Sequence, residues 1–352
     1  MYKMKKIFVI HEYGARSHYL ALEALSKKFG YKVIYHELNN FSRIKKAIQN
    51  CSLKDFFHAI GNIFFLFFIQ YMKPTKIVVG IAPYNNKIKR IIRKTRGHEV
   101  YYHTSYTIWN GSIYVHKPTN NEIQNIWKYF VSQYVKHIFA VSNKTKLELI
   151  NNGYSTESKI TVVNHSFSVV TEVEEKILKD LNFIYVGDLS ERKGVKQLLT
   201  FFAKHPNLKL TIIGKGVLQD ICVDYSNRHS NINYVGYVSD YNKLVNYYKA
   251  NSFLVLNSQR VYPWEELFGM VIVEAMSCGC IPITTDHSGP KEIINNGING
   301  FYYPEHSFFN GIEEVIEMND DTYALMREQA ILTGKSYHKE KIAERWKKIF
   351  EE

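Results

Sequence analysis

The chain has 352 residues, of which 45% are hydrophobic and 22% are charged. This composition is typical of a globular protein and excludes an intrinsically disordered one, while the length suits two domains of ordinary size. Lysine and arginine outnumber aspartate and glutamate by 45 to 33, a formal net charge of +12. The excess predicts an anionic partner: a nucleotide diphosphate, a membrane surface, a phospholipid-linked acceptor or a nucleic acid.

Cysteine usage bears on the cellular compartment. Four cysteines, at positions 51, 222, 278 and 280, are too few and too scattered for a disulfide framework. Cys278 and Cys280 lack the second Cys or His pair that a structural zinc site needs. The first ten residues pass from a basic start into a short apolar strand, without the apolar core of a signal peptide. We therefore expect reduced thiols and a cytoplasmic protein.

In the first half of the chain, short apolar runs alternate with helical patterns, which predicts βαβ units around a parallel sheet. The predicted strands are, in order, Ile7–His11, Lys32–His36, Ile77–Gly80, Val100–His103, Ile138–Val141 and Ile160–Val163. Helical patterns cover Tyr19–Phe29 and Lys144–Asn151. We assign residues 1–168 to a first domain and the polar stretch Ser168–Asp180 to a linker.

The same alternation restarts in the second half. Its predicted strands are Phe183–Val186, Lys209–Ile213, Ile232–Val235, Phe253–Leu256, Ile281–Thr284 and Gly300–Tyr303, with helices at Val195–Lys204, Tyr241–Lys249 and Met270–Ser277. We assign residues 181–335 to a second domain. The charged amphipathic pattern of Ser336–Glu352 predicts a helix that caps the second domain or, in our assignment, packs back onto the first. Two doubly wound domains bind ligands at the carboxyl ends of their strands, in the cleft between them.

The apolar segment Phe56–Met72 allows two interpretations. At 17 residues, with three polar interruptions, it is short for a membrane-spanning helix. One interpretation is a buried helix; the other is an interfacial helix that dips aromatic side chains into a bilayer. Basic residues crowd the nearby segment 87–96, which is either a solvated helix face or a surface that docks onto anionic lipid headgroups. If the membrane interpretation holds for both segments, an anionic membrane surface is a further partner, and the protein is peripheral on the inner face of the membrane.

The stretch Glu266–Glu274, spelled ELFGMVIVE, carries the clearest chemistry. Gly269 would begin a helix, whose free amide groups and dipole suit a phosphate. The two carboxylates are eight positions apart, roughly 12 Å along a helical path, which fits a glycosidase acid/base pair poorly. One carboxylate could instead reach sugar hydroxyls and the other ribose hydroxyls, with a diphosphate between them. Alternatively, Glu266 is a solvated loop residue and Glu274 a capping or pairing residue.

This stretch resembles the motif of the family 4 (group 1) retaining glycosyltransferases. Further similar segments occur in the expected order, at Phe183–Gly194, Ile212–Gly216, Tyr234–Val238 and Asp286–Ile294. The resemblance is strong from about residue 183 to 304 and weaker before that. It implies the GT-B fold, an α/β architecture in which two Rossmann-like, doubly wound parallel-sheet domains face each other across a cleft.

The resemblance also implies roles for individual residues in the second domain. Lys193 would neutralise the diphosphate, Glu274 would hold the ribose hydroxyls and Glu266 would lie beside the donor sugar. Backbone donors around that sugar would come from Phe268, Gly269 and Met270, and Gly214, Val235 and Tyr237 belong to the segments expected near the nucleotide. Catalysis would rest on Lys193, Glu266 and His103.

One position departs from the family pattern. Asp188 follows the glycine of the first strand of the second domain, where the family usually has an arginine. Either the neighbouring Arg192 supplies the missing positive charge, or the donor is bound more weakly or differently. Both residues therefore count among the expected donor-binding residues.

In the first domain, the segment after the first strand resembles a lean version of the family's glycine loop. It contains Gly14, expected against the donor, and Arg16 and His18, expected to face the acceptor or a phosphate. His103 ends a predicted strand where the family carries a histidine of the active cleft. Asn164 matches a turn residue of the family, although its neighbours do not.

The function implied is a retaining transfer of a hexose or related sugar from a nucleotide-diphosphate sugar, with UDP preferred over GDP, to a glycan or lipid-linked acceptor. Bacterial surface polysaccharide or lipopolysaccharide synthesis is the expected setting. We expect no metal and no further cofactor. We also expect no nucleic acid partner, because known RNA- and DNA-binding motifs do not occur. The alternatives are a catalytically decayed nucleotide-sugar-binding protein and a nucleotide-sugar epimerase of the same architecture.

Overall fold

The computed structural model describes residues 4–12, 14–38, 40–111, 119–169, 178–262 and 264–351. The chain divides into two compact units. Unit 1 comprises Met1–Ser166 together with Lys339–Glu352, and unit 2 comprises Phe167–His338. The linker expected at Ser168–Asp180 lies largely outside the described residues.

Unit 1 is built on six parallel strands. They are β1 (Lys5–His11), β2 (Tyr31–Glu37), β3 (Lys76–Gly80), β4 (Glu99–Thr104), β5 (His137–Ala140) and β6 (Ile160–Val162). Their order in the sheet is β2-β1-β3-β4-β5-β6. The order reverses between β1 and β3, so this is the switch point at which doubly wound folds bind ligands. Strand β3 is almost completely buried, as expected for a strand covered on both faces.

Seven helices among the described residues cover this sheet. They are α1 (Leu20–Lys28), α2 (Asn40–Gln49), α3 (Leu53–Phe68), α4 (Ile88–Lys94), α5 (Asn121–Tyr129), α6 (Asn143–Asn151) and, from the end of the chain, α14 (Lys339–Ala343). Polar side chains begin several of them: Asn120 Oδ1 accepts the Ile123 amide at 2.9 Å, and Ser142 Oγ accepts the Thr145 amide at 3.1 Å. Such caps satisfy amides that the helix itself cannot.

Unit 2 contains a second six-stranded parallel sheet. Its strands are β7 (Asn182–Asp188), β8 (Lys209–Lys215), β9 (Ile232–Gly236), β10 (Phe253–Leu256), β11 (Ile281–Thr285) and β12 (Phe301–Tyr303). The order β12-β11-β10-β7-β8-β9 is that of a Rossmann fold, with its switch point between β7 and β10. Its helices are α7 (Val195–Lys204), α8 (Gln219–Arg228), α9 (Tyr241–Lys249), α10 (Met270–Ser277), α11 (Ser288–Ile293), α12 (Asn310–Glu317) and α13 (Asp320–Ser336).

The fold class is confirmed, since both halves form parallel sheets with helices and each predicted strand is present, most of them with shifted ends. The single helix expected at Ser336–Glu352 is not found. Ser336 ends α13, and α14 is followed by a 3-10 turn at Glu344–Ile349. The break lets Trp346 reach the sheet of unit 1, where its ring lies 4.3 Å from that of Phe139.

Candidate functional site

The loops that follow β7 and β10 meet at the switch point of unit 2. The loop after β7 carries Lys193 and the loop after β10 carries Glu266. Gly194 has a φ of +65°, and a Cβ at this position would collide with the carbonyl oxygen of Asn257 at the end of β10. A glycine is therefore required for the two loops to approach each other.

Lys193 and Glu266 form an ion pair between these loops. Their side chains are only 18% and 17% exposed, so the pair is screened less than a surface pair would be. Ser258 Oγ donates to the same carboxylate oxygen at 3.4 Å, and the Lys193 ammonium lies 5.0 Å from the ring centre of Trp264. Glu266 is thus held in place rather than solvated.

A buried histidine fixes the backbone of Glu266. The Glu266 amide donates to His287 Nδ1 at 2.9 Å, which places the imidazole proton on Nε2, 3.1 Å from Glu305 Oε1. Burial, and after it the positive charge of Arg260, lower the pKa of His287, which favours this neutral tautomer. Arg260 in turn binds Asp286 at 2.9 Å. The chain of contacts positions the loop that precedes α10.

Gly269 is the N-cap of α10, with a φ of +81°, a conformation that residues with a side chain rarely adopt. The helix starts only at Met270, so residues 266–269 form a loop, and the helical path assumed between the two glutamates is wrong for its first half. The distance between Glu266 and Glu274 that was expected from a continuous helix therefore does not apply. The amides at the start of α10 still form an N-terminus of the kind that binds phosphate.

Glu274 lies one turn into α10 and is buried. Tyr248 Oη donates to its Oε2 at 3.5 Å, and Tyr241 also bonds to it. Burial raises the pKa of Glu274 to about 7, and the two tyrosine hydrogen bonds oppose this shift only in part. A glutamate in such a setting is costly to keep ionised without a ligand, which is typical of functional sites.

Glu274 lines a pocket of about 450 Å³ in unit 2. The lining residues come from the ends of β7, β8 and β9 and from α9 and α10: Val186, Gly187, Asp188, Ile213, Gly214, Lys215, Tyr237, Val238, Ser239, Tyr241, Leu244 and Glu274. The Lys215 ammonium lies 4.2 Å from the ring centre of Tyr237, whose side chain is largely exposed. The pocket combines a cation, an aromatic face and a carboxyl group.

The departure at Asp188 is partly compensated. The Arg192 guanidinium lies 4.0 Å from the Asp188 carboxylate and 4.9 Å from the ring centre of Trp264. Lys215, paired with Asp188 in the register of β7 and β8, adds a second positive charge beside it. Arg192 is therefore close enough to offset the negative charge of Asp188. This geometry favours the alternative in which Arg192 supplies the positive charge that the family's arginine would otherwise provide.

Four of the expected donor-binding residues, Asp188, Gly214, Tyr237 and Glu274, line this one pocket. Val235 lies in β9 and is not among the described residues that line it. Sequence reasoning missed the pocket residues Lys215 and Tyr241 and the positioning residue His287. Lys215 lies between two glycines and could have been found from that signal, whereas the roles of Tyr241 and His287 depend on tertiary contacts.

Unit 1 has a smaller pocket of about 150 Å³ at its own switch point. It is lined by His11, Glu12, His18, Gly80, Ile81, Ala82, His103, Thr104, Ser105, Tyr106 and His165. Four histidines thus surround one cavity, and the rings of His18 and His165 are 4.2 Å apart. The described residues contain no group of three or more side chains placed to hold a metal ion.

These histidines are neutral at neutral pH. Burial, followed by the charge of His18, lowers the pKa of His11 to about 4, and burial lowers the pKa values of His18, His103 and His165 as well. His103 is 5% exposed, and its Nε2 has no hydrogen-bond partner among the described residues. Leaving a buried polar atom unsatisfied costs about 1–3 kcal/mol, which a bound hydroxyl would recover.

Three residues of unit 1 that the resemblance singled out are not among the described residues that line this pocket. Gly14 packs against the carboxylate of Glu37. Arg16 donates twice to Glu23, at 2.7 and 3.1 Å. Asn164 donates to the Val141 carbonyl at 2.9 Å and accepts a hydrogen bond from Arg345, so it joins the C-terminal segment to the sheet.

Comparison with known families points to the same region. Residues 170–333 match the family model described as glycosyl transferases group 1. The capsular polysaccharide biosynthesis glycosyltransferase CapM of Staphylococcus aureus is 29% identical over 211 residues, 53% of each chain. A Campylobacter jejuni N-acetylgalactosaminyltransferase, named for a diphospho-undecaprenol substrate, is 28% identical over 49% of this chain and 47% of its own. The chain spans about half the length of such curated relatives.

Solved structures show the fold of the whole chain. The crystal structure of Anabaena HepE in complex with UDP has a TM-score of 0.67 and 16% identity, and the match covers 99% of both chains. At this identity the likeness shows the fold alone, and it is that of GT-B glycosyltransferases. The resemblance in the sequence is thus confirmed: the chain has the GT-B fold, and its residues 170–333 match the group 1 glycosyltransferase family model.

Proposed function

We propose that this protein is a retaining glycosyltransferase that transfers a sugar from a UDP-sugar to a glycan or lipid-linked acceptor in surface polysaccharide synthesis. The observation that carries the proposal is the placement of Glu274 in the unit 2 pocket, on the helix whose N-terminus begins at Gly269. Met270 and Glu274 are four positions apart in the helix, roughly 6 Å of rise. That spacing lets one carboxyl hold a ribose while the helix N-terminus holds the diphosphate attached to it.

The nucleoside would occupy the pocket itself. The exposed ring of Tyr237 offers a surface on which a base can stack, and the Lys215 ammonium beside it attracts the anionic ligand. The support for uridine over other bases comes from the relatives, since the HepE structure contains UDP. Guanine nucleotides are the second choice to be tested.

The departing diphosphate would be stabilised by Lys193 and by the amides at the start of α10. Lys193 is already held by Glu266, so the cation is in position before the donor arrives. Preorganised charges of this kind lower the barrier because they need no rearrangement as negative charge develops. We propose that this arrangement replaces a metal ion, and that Glu266 contacts the donor sugar during a front-face transfer.

The acceptor side of the proposal rests on unit 1. Its pocket is small and lined by neutral histidines, which can exchange hydrogen bonds with sugar hydroxyls without adding charge. His103, with its unsatisfied Nε2, is the residue we expect to contact a sugar. His18 lies in the same pocket, whereas Arg16 is bound to Glu23 and would have to release it to contact a ligand.

The test begins with thermal-shift measurements against UDP-, GDP- and ADP-sugars, because a ligand that binds the folded state raises its melting temperature. Product release and the anomeric configuration of the product then show transfer and retention. Glu274→Ala should weaken donor binding, and Glu266→Ala should mainly lower kcat. Glu328→Ala, an exposed residue of α13, is the matched control. Near-native kinetics for both site variants would refute the assignment, and binding without turnover in the wild type would indicate a decayed enzyme.

A further inference from the structure

The helix α3 and the turn that follows it form an unusual surface of unit 1. Together they span Leu53–Tyr71, 19 residues with a mean hydropathy of 1.2, enough by length and composition alone to cross a membrane. Only 28% of the segment is buried. The buried-helix interpretation of the sequence therefore holds for one face only.

The inner face of this segment is firmly attached to unit 1. Its buried positions follow a helical spacing: Ala59, Asn62, Phe65, Leu66 and Ile69. The Phe65 ring stacks on His36 of β2 at 3.4 Å, and the Asn62 side chain bonds to the same imidazole at 3.0 Å. A helix bound to the sheet by a buried amide cannot also be surrounded by lipid, so it would lie on a membrane rather than span it.

The outer face is apolar, although it faces solvent. We call it the aromatic face, and it consists of six large side chains that are about half or more exposed: Leu53, Phe57, Phe64, Phe67, Phe68 and Tyr71. They extend over roughly 27 Å of helix. Surface helices normally turn polar residues to water, and a contiguous apolar patch of this size indicates an interaction site.

A basic segment reaches the aromatic face through one of its cations. We call Lys89, Arg90, Arg93, Lys94 and Arg96, in and just after α4, the basic cluster. The Lys94 ammonium lies 4.9 Å from the ring centre of Phe67, which joins the cluster to the aromatic face. Lys89 pairs with Glu122, whereas the described carboxylates form no ion pair with Arg90, Arg93 or Arg96.

We infer that the aromatic face and the basic cluster dock unit 1 onto an anionic phospholipid bilayer, with α3 lying in the interface. Aromatic rings favour the depth of the headgroups, and each nearby arginine or lysine attracts anionic lipid. A second copy of the chain fits less well. A two-fold interface brings identical patches together, so the two basic clusters would repel each other. The inference does not depend on the proposed function, because docking needs no donor.

Flotation of the full chain with vesicles tests it. Vesicles with 30% phosphatidylglycerol in phosphatidylcholine should carry the protein, whereas phosphatidylcholine alone should carry much less. Replacing Arg90, Arg93 and Arg96 by Gln should weaken partitioning roughly 100-fold, about five-fold for each charge removed. Binding should also fall in 1 M salt, in which the screening length is about 3 Å. The charge-matched control replaces the exposed Lys204, Lys249 and Lys335 of unit 2 and should bind like the wild type.

A second variant tests the apolar contribution. Replacing Phe64, Phe67 and Phe68 by Ser should abolish flotation without lowering the melting temperature, since these side chains are about half exposed. Leu325→Ser with Leu332→Ser, at exposed positions of α13, is its control.

Three outcomes would overturn the inference: equal binding to neutral and anionic vesicles, unchanged binding of both variants, or a dimer in sedimentation that the serine variant dissolves. Nucleotide-sugar binding measured without vesicles keeps the proposed function a separate question.

Discussion

Nucleotide-sugar binding should weaken as the pH falls through 7, because of Glu274. Burial raises the pKa of this carboxyl to about 7, so it gains a proton in a range where the folded protein can be studied. Ribose hydroxyls donate hydrogen bonds, and the ionised carboxylate offers two oxygens that only accept them. The protonated carboxyl instead presents an O–H donor to the ribose hydroxyl, so it accepts fewer hydrogen bonds from the ribose.

The size of the effect follows from the ionised fraction. With a pKa of about 7, that fraction is about 0.9 at pH 8 and about 0.03 at pH 5.5, so the apparent Kd should rise roughly 30-fold between the two. Glu274→Gln should bind weakly at both pH values, with a ratio near one. UDP-glucose is a suitable probe because its phosphates are diesters and have no proton to gain in this range.

Isothermal calorimetry at the two pH values measures the ratio directly. Glu328→Gln removes an exposed glutamate from the same unit and should keep the pH dependence of the wild type. The reasoning is refuted if the wild type shows no pH dependence, or if Glu274→Gln keeps it.

Three further predictions concern stability and turnover. Since the pKa of Glu274 in the folded protein lies above its ordinary 4.5, the unfolding free energy should fall as the pH rises from 4.5 to 7, by on the order of 3 kcal/mol; Glu274→Gln should remove this fall in urea titrations. His287→Ala leaves the Glu266 amide without its acceptor and should lower kcat roughly ten-fold or more, whereas His287→Asn, which keeps an acceptor, should restore most of it. Trp346→Ala removes a buried ring packed on Phe139 and should destabilise unit 1 by about 3–5 kcal/mol in urea.

Much of the fold could be predicted because buried parallel strands have a strong local signal. The run Ile77–Gly80 is apolar without interruption, and it forms a strand buried on both faces. Strand ends were less accurate: β7 continues to Asp188 and β8 to Lys215, beyond their apolar runs. Those polar extensions carry the pocket residues Asp188 and Lys215. The strand ends were therefore misplaced where ligand-facing polar residues interrupt the apolar pattern of a buried strand.

The candidate site was predictable only where one segment contains it. Gly269 directly precedes the helix that carries Glu274, and the stretch Glu266–Glu274 by itself suggested a phosphate and a ribose. His287 is 21 positions from Glu266, and the hydrogen bond that joins them exists only after β10, β11 and their loops have packed. The break after α14 is also a tertiary effect, because Trp346 must turn toward Phe139.

The return of the C-terminal segment to unit 1 has a consequence for synthesis on the ribosome. Unit 1 is interrupted by the whole of unit 2, and Trp346, one of its most buried side chains, is translated only after unit 2. At typical elongation rates, roughly ten to thirty seconds separate the release of the first 166 residues from that of the segment that completes them. During this interval the sites of Tyr19 and Phe139 that Trp346 later covers stay open to water. Unit 1 therefore completes its folding only after the whole of unit 2 has been synthesised.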